Sequence, residues 1–340
     1  MLSNYLEKVV GGNNLSEIEM KETMLTIMNG KASECQIAGL LVGLRMKGES
    51  IEEITGAARA LREKAISIKN TNELAIDTCG TGGDGANTFN ISSTVAFVLA
   101  GAGLSVAKHG NRSVSSCSGS ADLLEELGVN LNITPEQAEK CLLDTNIAFL
   151  YAPLHHRAMK YALKPRRDLR IRTIFNLLGP LINPAFVKYQ ILGIYAPSLI
   201  YPVACVLKNL GLKSAMVVNG DGLDEFTLTG KNRVSYLHDD IIEELEIYPE
   251  DVGLGRIKLE EITGGSPELN KKIVLDVLKG CKGPCREVVL FNSAAGFIVT
   301  GLVNDWKMGI ELAEEVIDSG KAYKKLMELI QYTNSLGAIV

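Results

Sequence analysis

The chain has 340 residues, of which 46% are hydrophobic and 22% are charged, a balance that is typical of globular proteins and excludes disordered and fibrous classes. This length exceeds that of a single hydrophobic core, so we expect about two domains. The net charge of -5 excludes a broadly basic surface, so we expect neither nucleic acid nor an anionic membrane as a partner.

Three further features bear on location. The N-terminal residues lack the charged and apolar regions of a secretory signal. The uncharged stretch 189–207 is interrupted by Gly193, Pro197 and Pro202, so it is interpreted as strand, turn and helix rather than as a membrane span. The seven cysteines lack the paired spacing of zinc sites. Together these features predict a cytoplasmic protein with reduced cysteines.

The first seventy residues are predicted to be helical only. Apolar residues recur at helical spacing behind three capping boxes. The boxes pair Ser16 with Glu19, Ser33 with Gln36, and Ser50 with Glu53. A polar run at 70–72 then predicts a boundary between a helical domain, 1–70, and a second domain, 71–340.

From Leu74 onward, short apolar strands alternate with helices, which predicts an α/β domain with a mainly parallel central sheet. The predicted strands are 74–78, 105–108, 147–152, 189–195, 214–219 and 287–291. The clearest helix begins after Thr134, with Pro135 in its first turn and Gln137 three positions after the cap. Residues 293–334 are predicted to be helical, with a break at Gly320.

A glycine-rich loop follows the first predicted strand. It contains Gly80, Gly82, Gly83 and Gly85 and precedes a helix predicted to begin near Ile91. Glycines allow backbone N–H groups to approach a phosphate, and a helix N-terminus favours negative charge. The alternative is a glycine-rich turn with an ordinary helix cap.

The same glycines match the dinucleotide pattern GxGxxG, which raises an oxidoreductase alternative. Such a site needs an acidic residue after the second strand, where this chain has Lys108 and His109. The loop continues instead into hydroxyl and amide side chains that suit phosphate, ribose or a hydrated metal. These are Thr88, Asn90, Ser92 and Ser93.

A second polar loop, Lys108 to Ser120, follows the next strand. In a parallel sheet it would lie at the same edge as the glycine loop, where ligands bind. It offers two cations, an amide and five hydroxyls, whereas the alternative is a solvated, serine-rich loop. The side chains are those of Lys108, Asn111, Arg112, Ser113, Ser115, Ser116, Ser118 and Ser120.

Two charged segments complete the candidates. Asp224 and Glu225 follow the predicted strand 214–219, and adjacent carboxylates suit Mg²⁺, although surface acids in a turn are the alternative. The segment 160–172 contains six basic residues and one acid. It is a solvated helix face, a nucleic-acid patch, or the source of one arginine that binds a substrate carboxylate.

Six ordered motifs along nearly the whole chain resemble the anthranilate phosphoribosyltransferase family. They are GTGGD at 80–84, NISS at 90–93, KHGNRSVSS at 108–116, GSAD at 119–122, RTIFNLLGPLINP at 172–184 and GLDE at 222–225. The resemblance implies a nucleoside phosphorylase-like fold with a small all-helical domain, joined by part of 165–185, beside a larger α/β domain. It also implies a homodimer formed through the helical domain.

The resemblance implies transfer of a phosphoribosyl group from phosphoribosyl pyrophosphate to anthranilate in tryptophan biosynthesis, with Mg²⁺ as cofactor and no dedicated general base. By motif, phosphoribosyl pyrophosphate would be held by Gly80, Gly83, Asp84, Thr88, Asn90, Ile91, Ser92, Ser93, Lys108, His109, Gly110, Asn111, Arg112, Ser113, Val114, Ser115, Ser116 and Ser120. Mg²⁺ would be held by Ser92, Asp224 and Glu225, and anthranilate by Gly80, Asn111 and Arg166.

The chain departs from the family pattern near the acceptor. Arg170 stands where the family has glycine, and Lys164-Pro165 stands where it commonly has Pro-Val. Arg157 follows the paired histidines His155 and His156, where the family often has proline. Two alternatives to the transferase are a pyrimidine nucleoside phosphorylase of similar architecture and a nucleic-acid-binding relative. The motifs favour the transferase over the phosphorylase, and the acidic charge disfavours nucleic acid.

Overall fold

The computed structural model describes residues 2–69, 72–113 and 117–336. The predicted boundary at 70–71 and the predicted site residues Val114, Ser115 and Ser116 lie outside the described residues.

The N-terminal region is helical, as predicted. Its helices are α1 (Leu2–Val10), α2 (Glu17–Met28), α3 (Glu34–Lys47) and α4 (Ile51–Lys64). Ser16, Ser33 and Ser50 each accept a hydrogen bond from the backbone three residues later, and all three capping boxes are confirmed. Local sequence therefore sets where α2, α3 and α4 begin.

Seven strands of the described chain form one sheet, in the order β3-β2-β1-β4-β5-β6-β7. The strands are β1 (Ile76–Gly80), β2 (Val106–Gly110), β3 (Ile147–Tyr151), β4 (Tyr189–Gly193), β5 (Ser214–Gly220), β6 (Asn232–His238) and β7 (Ile241–Ile247). Strands β1 to β5 pair in parallel, whereas β6 and β7 are antiparallel. The mainly parallel sheet is confirmed.

Helices separate most of the strands and follow the last one. They are α5 (Ile91–Gly101), α6 (Ser120–Glu126), α7 (Pro135–Thr145), α8 (Ala152–His155), α9 (Lys160–Leu169), α10 (Phe175–Leu181), α11 (Ile200–Asn209), α12 (Pro267–Leu278), α13 (Pro284–Val299), α14 (Trp306–Asp318) and α15 (Lys321–Ser335). Thr134 caps α7, and Gly320 separates α14 from α15, as predicted. Across the described residues, no helix is both long and apolar enough to span a membrane.

One predicted strand is wrong. Residues 287–291 lie inside α13, which is buried along nearly its whole length. A short apolar run that is buried on all sides looks alike in a strand and in a core helix, so periodicity could not separate the two.

The hairpin of β6 and β7 was not predicted. Asp239 and Asp240, which join the two strands, both have positive φ angles, of 47° and 60°. Two such residues form the tight turn that matches strand twist. The Asp-Asp pair between two alternating segments was therefore a usable signal.

Two hydrophobic clusters enclose the sheet. One lies on the face that carries α5, α13 and α15. The other combines residues of α2, α3 and α4 with α10, α11 and the opposite sheet face. Because both faces of the sheet are covered, the carboxyl ends of the parallel strands remain as the place for a site.

Candidate active site

The site begins where a loop crosses the ends of β1 and β4. A Cβ atom on Gly80 would lie 2.2 Å from Asp224 Oδ2, and one on Gly193 would lie 1.5 Å from the Asp224 carbonyl oxygen. Neither position has room for a side chain, so glycine is required at both. This close approach brings the segment 222–225 against the glycine loop.

Hydrogen bonds join the carboxylates to the loop. The Gly82 N–H donates to Asp224 Oδ2 at 2.6 Å, and the Asp224 N–H donates to Asp84 Oδ2 at 3.3 Å. The Ser92 N–H, in the first turn of α5, donates to Glu225 Oε1 at 3.1 Å. Residues that are separated by more than 130 positions in the sequence therefore form one cluster.

The electrostatics of this cluster favour a cation. Burial, followed by repulsion from Glu225 and Asp84, raises the pKa of Asp224 well above its ordinary value. Burial also raises the pKa of Glu225, to about 7, although Lys108 acts in the opposite direction. Both side chains remain partly open to solvent. A cation from the solvent side would relieve their repulsion.

Lys108 extends beneath the same cluster from β2. Its ammonium donates to the Thr78 carbonyl and, at 3.3 Å, to Ser92 Oγ. The residue is 4% exposed. Burial lowers the pKa of Lys108, while the nearby Asp77 opposes that shift. Lys108 and Ser92, which are both predicted to bind phosphoribosyl pyrophosphate, are thus in contact with each other.

Asp77 and His109 lie deeper, under the site. Asp77 accepts from the His109 N–H at 3.2 Å and from Asn183 Nδ2 at 2.8 Å. The His109 ring lies 3.2 Å from the Gly179 carbonyl oxygen through Nδ1 and packs edge-on against His156. Burial keeps the pKa of His109 well below its ordinary value. The ring of His109 therefore faces the core.

The remaining predicted residues of the first loop have structural partners. Asn90 donates to the Ser118 carbonyl at 3.1 Å and accepts from Asn270 at 2.9 Å. Thr88 forms an isolated bridge with Thr263. Ile91 and Ser93 are buried in the first turn of α5. Asn90 thereby connects the glycine loop to the second loop.

The second loop is held from within. Ser120 Oγ donates to the Asn111 carbonyl at 3.4 Å, and Gly110 lies so close to Ser120 that a Cβ atom would be 2.3 Å from its hydroxyl. Asp122 accepts from the N–H groups of Ser113 and Gly119, at 3.0 and 2.9 Å. These two donors flank the segment 114–116.

The Arg112 side chain is paired with acids of α6 rather than with Asp224 or Glu225. It forms ion pairs with Asp122 at 3.1 Å and with Glu125 at 2.8 Å, and it lies over the Tyr151 ring. Hydrogen bonds to Glu125, Tyr151 and Asp122 raise the pKa of Arg112. In this structure its cation therefore faces α6, and its predicted contact with phosphate stays a prediction.

The basic segment separates into three environments. Lys164 pairs with Glu34 and Asp168 at the surface, and Arg167 is largely exposed. Arg166 is half-buried and lies 4.9 Å from the Phe175 ring centroid, and burial lowers its pKa. Arg166 thus differs from its neighbours, which agrees with the third interpretation of the segment.

Sequence reasoning missed two residues at this edge. Arg172 donates to the Gly83 carbonyl from outside the loop, and Asp77 anchors the strand beneath it. The sequence showed Arg172 as one of six basic residues and as the first residue of the motif at 172–184, but gave it no role. Asp77 carried a signal, since an acid within an apolar strand is rarely buried without partners.

The arrangement suits an anion and a hard cation together. Loop amides, Lys108 and the N-terminus of α5 can meet phosphate oxygens, and the carboxylates can meet a metal. Within the described ranges, no three His, Cys, Asp or Glu side chains form a metal cage. Mg²⁺ needs none, because it usually takes one or two carboxylates together with water and substrate phosphates.

Comparison with known families matches both parts of the chain. Residues 72–323 match the model of the glycosyl transferase family, a/b domain, and residues 3–65 match that of its helical bundle domain. The larger of these matches covers well over half of the chain.

Individual relatives and solved structures agree. Anthranilate phosphoribosyltransferase of Petrotoga mobilis is 56% identical over 99% of this chain and 98% of its own length, and that of Desulforamulus reducens is 52% identical over the same shares. The crystal structure of the Thermus thermophilus enzyme has a TM-score of 0.93 at 41% identity, covering 97% of this chain and 99% of that one.

The Saccharomyces cerevisiae enzyme, solved in complex with PRPP and Mg, has a TM-score of 0.91 at 30% identity and covers 98% of each chain. The two relatives are more than 50% identical over 99% of this chain, and the two solved structures cover 97% and 98% of it. The chain therefore belongs to the anthranilate phosphoribosyltransferase family.

Proposed function

We propose that the chain transfers the phosphoribosyl group of 5-phosphoribosyl 1-pyrophosphate to the amine of anthranilate, giving N-(5-phosphoribosyl)anthranilate and pyrophosphate in tryptophan biosynthesis. The observation that carries the proposal is the junction of the glycine loop, Lys108 and the Asp224–Glu225 pair at one sheet edge. Membership of the family supplies the reaction.

The difficult step is charge separation at ribose C1. The C1–oxygen bond breaks, its electron pair leaves with pyrophosphate, and the anthranilate nitrogen forms the new bond to C1 and then loses a proton. Loop amides and Lys108 stabilise the negative charge that develops on the leaving group. The neutral amine can attack without prior deprotonation, so positioning rather than a general base accounts for the rate.

Asp224, Glu225 and Ser92 would hold Mg²⁺. Their fit rests on the clustered carboxylates, whose raised pKa values mark a site that favours a cation. When bound, Mg²⁺ neutralises charge on the pyrophosphate and orients it. Because these pKa values are raised, protons balance part of the charge in the free chain, and a bound metal would take the place of those protons.

Phosphoribosyl pyrophosphate, the phosphoribosyl donor, would be held by the glycine loop and by the second loop, Lys108 to Ser120. The residues proposed for this role are Gly80, Gly83, Asp84, Thr88, Asn90, Ile91, Ser92, Ser93, Lys108, His109, Gly110, Asn111, Arg112, Ser113, Val114, Ser115, Ser116 and Ser120. For His109 the proposal concerns the backbone, because the ring faces the core. For Arg112 it requires release from Glu125.

Anthranilate would be bound by Gly80, Asn111 and Arg166. Arg166 is the proposed partner of its carboxylate, because a planar guanidinium pairs with a carboxylate through two hydrogen bonds. The Phe175 ring beside that guanidinium supports the assignment, since it helps to hold the cation in one place.

We also propose that residues 1–70 and part of 165–185 form the helical domain, and that 71–340 form the α/β domain. Support comes from α9 and α10, which pack against α3 and α4 and share their hydrophobic cluster. Limited proteolysis tests this division, because cleavage should concentrate near residue 70.

A homodimer through the helical domain is part of the same proposal. In the single chain, Val10, Ile18 and Met46 are 70%, 71% and 83% exposed, and apolar side chains on one domain suit an interface. Sedimentation equilibrium should give twice the mass of the chain. We place the enzyme in the cytoplasm, since its seven cysteines, all within the described residues, are unpaired.

The test is to mix the purified chain with anthranilate, phosphoribosyl pyrophosphate and Mg²⁺. Loss of anthranilate fluorescence and release of pyrophosphate should occur together and should stop when a chelator is added. If neither substrate is consumed, the proposal is wrong. The two activities to assay next are then phosphorolysis of pyrimidine nucleosides and binding of nucleic acid.

A further inference from the structure

Arg172 is outside the residues assigned above, yet it reaches the glycine loop. Its Nη2 donates to the Gly83 carbonyl, and its guanidinium lies 4.4 Å from the centroid of the Tyr195 ring. An arginine that already lies against an aromatic ring loses little further freedom when it donates a hydrogen bond. Arg172 is thus pre-set for this contact.

The glycine loop depends on such contacts from outside. Gly82 and Gly83 have φ angles of 68° and 80° and belong to neither β1 nor α5. The Thr81 backbone N–H donates to the Gly193 carbonyl at 2.9 Å, and the Gly82 N–H donates to Asp224 Oδ2 at 2.6 Å. Arg172 holds the next residue, so three consecutive residues are fixed by three different elements.

The contact with Gly83 controls the direction of one peptide group. The Gly83 carbonyl and the Asp84 N–H belong to the same planar unit and point in opposite directions. A glycine on one side makes rotation of that unit easy. Because Arg172 holds the carbonyl, the Asp84 N–H is kept pointing away from Arg172.

The same short segment carries Arg166. Helix α9 ends at Leu169, and Arg170 follows in the left-handed conformation, with φ of 52°. That turn leads the chain from the helix, which packs against α2 and α3, to the glycine loop. The proposed acceptor residue and the contact to Gly83 therefore lie on one piece of chain.

We propose that Arg172 is a positioning residue, which holds the Gly83–Asp84 peptide in the orientation that binds the donor phosphates. The inference rests on the proposed function, in which the glycine loop binds phosphoribosyl pyrophosphate. Arg172 acts on the donor through the loop and does not itself bind it.

The test compares Arg172→Ala and Arg172→Lys with Arg167→Ala, a control on the same segment whose side chain is 79% exposed. Hydrogen–deuterium exchange of the peptide covering 80–90 is measured before any substrate is added. Steady-state kinetics then give kcat and the KM values for both substrates at saturating Mg²⁺. Circular dichroism verifies that each variant is folded.

We expect Arg172→Ala to exchange about tenfold faster over 80–90 and to raise the KM for phosphoribosyl pyrophosphate about tenfold, since a charge-assisted hydrogen bond is lost. The kcat should change less than this KM. Arg172→Lys should recover part of both effects, because the ammonium can still donate to the carbonyl. Arg167→Ala should change neither.

Three outcomes would overturn the inference. A higher KM with unchanged exchange would mean that Arg172 binds the donor directly. Faster exchange with an unchanged KM would mean that the contact does not serve binding. If Arg172→Ala does not fold, Arg172→Lys takes its place, and a raised KM with wild-type exchange over 80–90 in that variant would overturn the inference in the same way. Absence of turnover in the wild-type chain would instead defeat the proposed function.

Discussion

Two glutamates of this molecule are surrounded by protein in opposite ways. Glu53, in the N-terminal helices, is fully buried and accepts from Lys47 at 2.6 Å, the Ser50 N–H at 2.8 Å and the Leu15 N–H at 2.9 Å. Glu225, at the sheet edge, has Asp224 and Asp84 as neighbours, and its pKa is raised to about 7, chiefly by burial.

The contrast separates a structural carboxylate from a functional one. Glu53 accepts three hydrogen bonds, one of them from the Lys47 ammonium, so the group stabilises the fold and needs no ligand. Around Glu225 the protein leaves negative charge clustered, which costs stability in the absence of a cation. We therefore expect substitutions at the first position to change stability and those at the second to change activity.

The largest expected effect is at Glu225. Glu225→Gln should lower kcat/KM about a thousandfold, because a metal carboxylate and its charge are lost. The free energy of unfolding without Mg²⁺ should not fall, since the substitution also removes repulsion with Asp224. Initial rates and urea denaturation measure the two quantities. A destabilised variant with near-normal activity would reverse the assignment.

Glu53→Ala should lower the free energy of unfolding by about 3 to 5 kcal/mol, because Lys47 would stay buried without its partner. The KM values of the folded fraction should be unchanged. Glu17→Ala is the matched control, since its pair with Arg59 is exposed on both sides and should contribute less than about 1 kcal/mol. Equal effects at the two positions would contradict the comparison.

Arg166→Ala should raise the KM for anthranilate about tenfold or more, with a smaller change in the KM for phosphoribosyl pyrophosphate. The reason is the loss of a charge-assisted pair with the substrate carboxylate. Substrate titration of initial rates measures both constants. An unaltered acceptor KM would move the carboxylate site to another cation.

His156 should make stability depend on acid. Burial lowers its pKa from 6.5 to about 4. Between these two pH values the histidine is protonated in the unfolded chain and neutral in the folded chain. Its contribution to stability is therefore complete above pH 6.5 and is lost as the pH falls towards 4.

The measurement is chemical denaturation at several pH values. At about pH 5 the part of the loss that is due to His156 should be about 2 kcal/mol relative to neutral pH, and His156→Gln should be less sensitive by this amount. His238→Gln, at a residue beside Asp239 and Glu243 near the surface, is the control. Identical pH profiles in wild type and His156→Gln would reject this account.

The smallest effect is expected at Arg170. This residue has a φ of 52° at the end of α9, where glycine is more readily accommodated. Arg170→Gly should raise the free energy of unfolding by about 0.5 kcal/mol. Asn146, which ends α7 in the same conformation, tolerates it better, so Asn146→Gly should gain less.

The starts of α2, α3, α4 and α7 could be read from the chain, because a capping box is a contact within four residues. The glycine loop and the Asp224–Glu225 pair could be recognised as separate motifs. Their mutual contact could not, since it depends on β1 and β4 pairing side by side. The prediction of a strand at 287–291 was wrong because the segment is buried on all sides, and such burial removes the periodic pattern of apolar residues.

By itself the sequence determined the helical caps, the parallel character of the sheet, the two polar loops and the family. The tertiary structure decided which of these residues meet. Arg172 appeared as one of six basic residues until the fold placed it on Gly83, and Arg112, expected to face phosphate, turned towards Asp122 and Glu125. A charge can be read from one position, whereas its partner is selected by packing between distant segments.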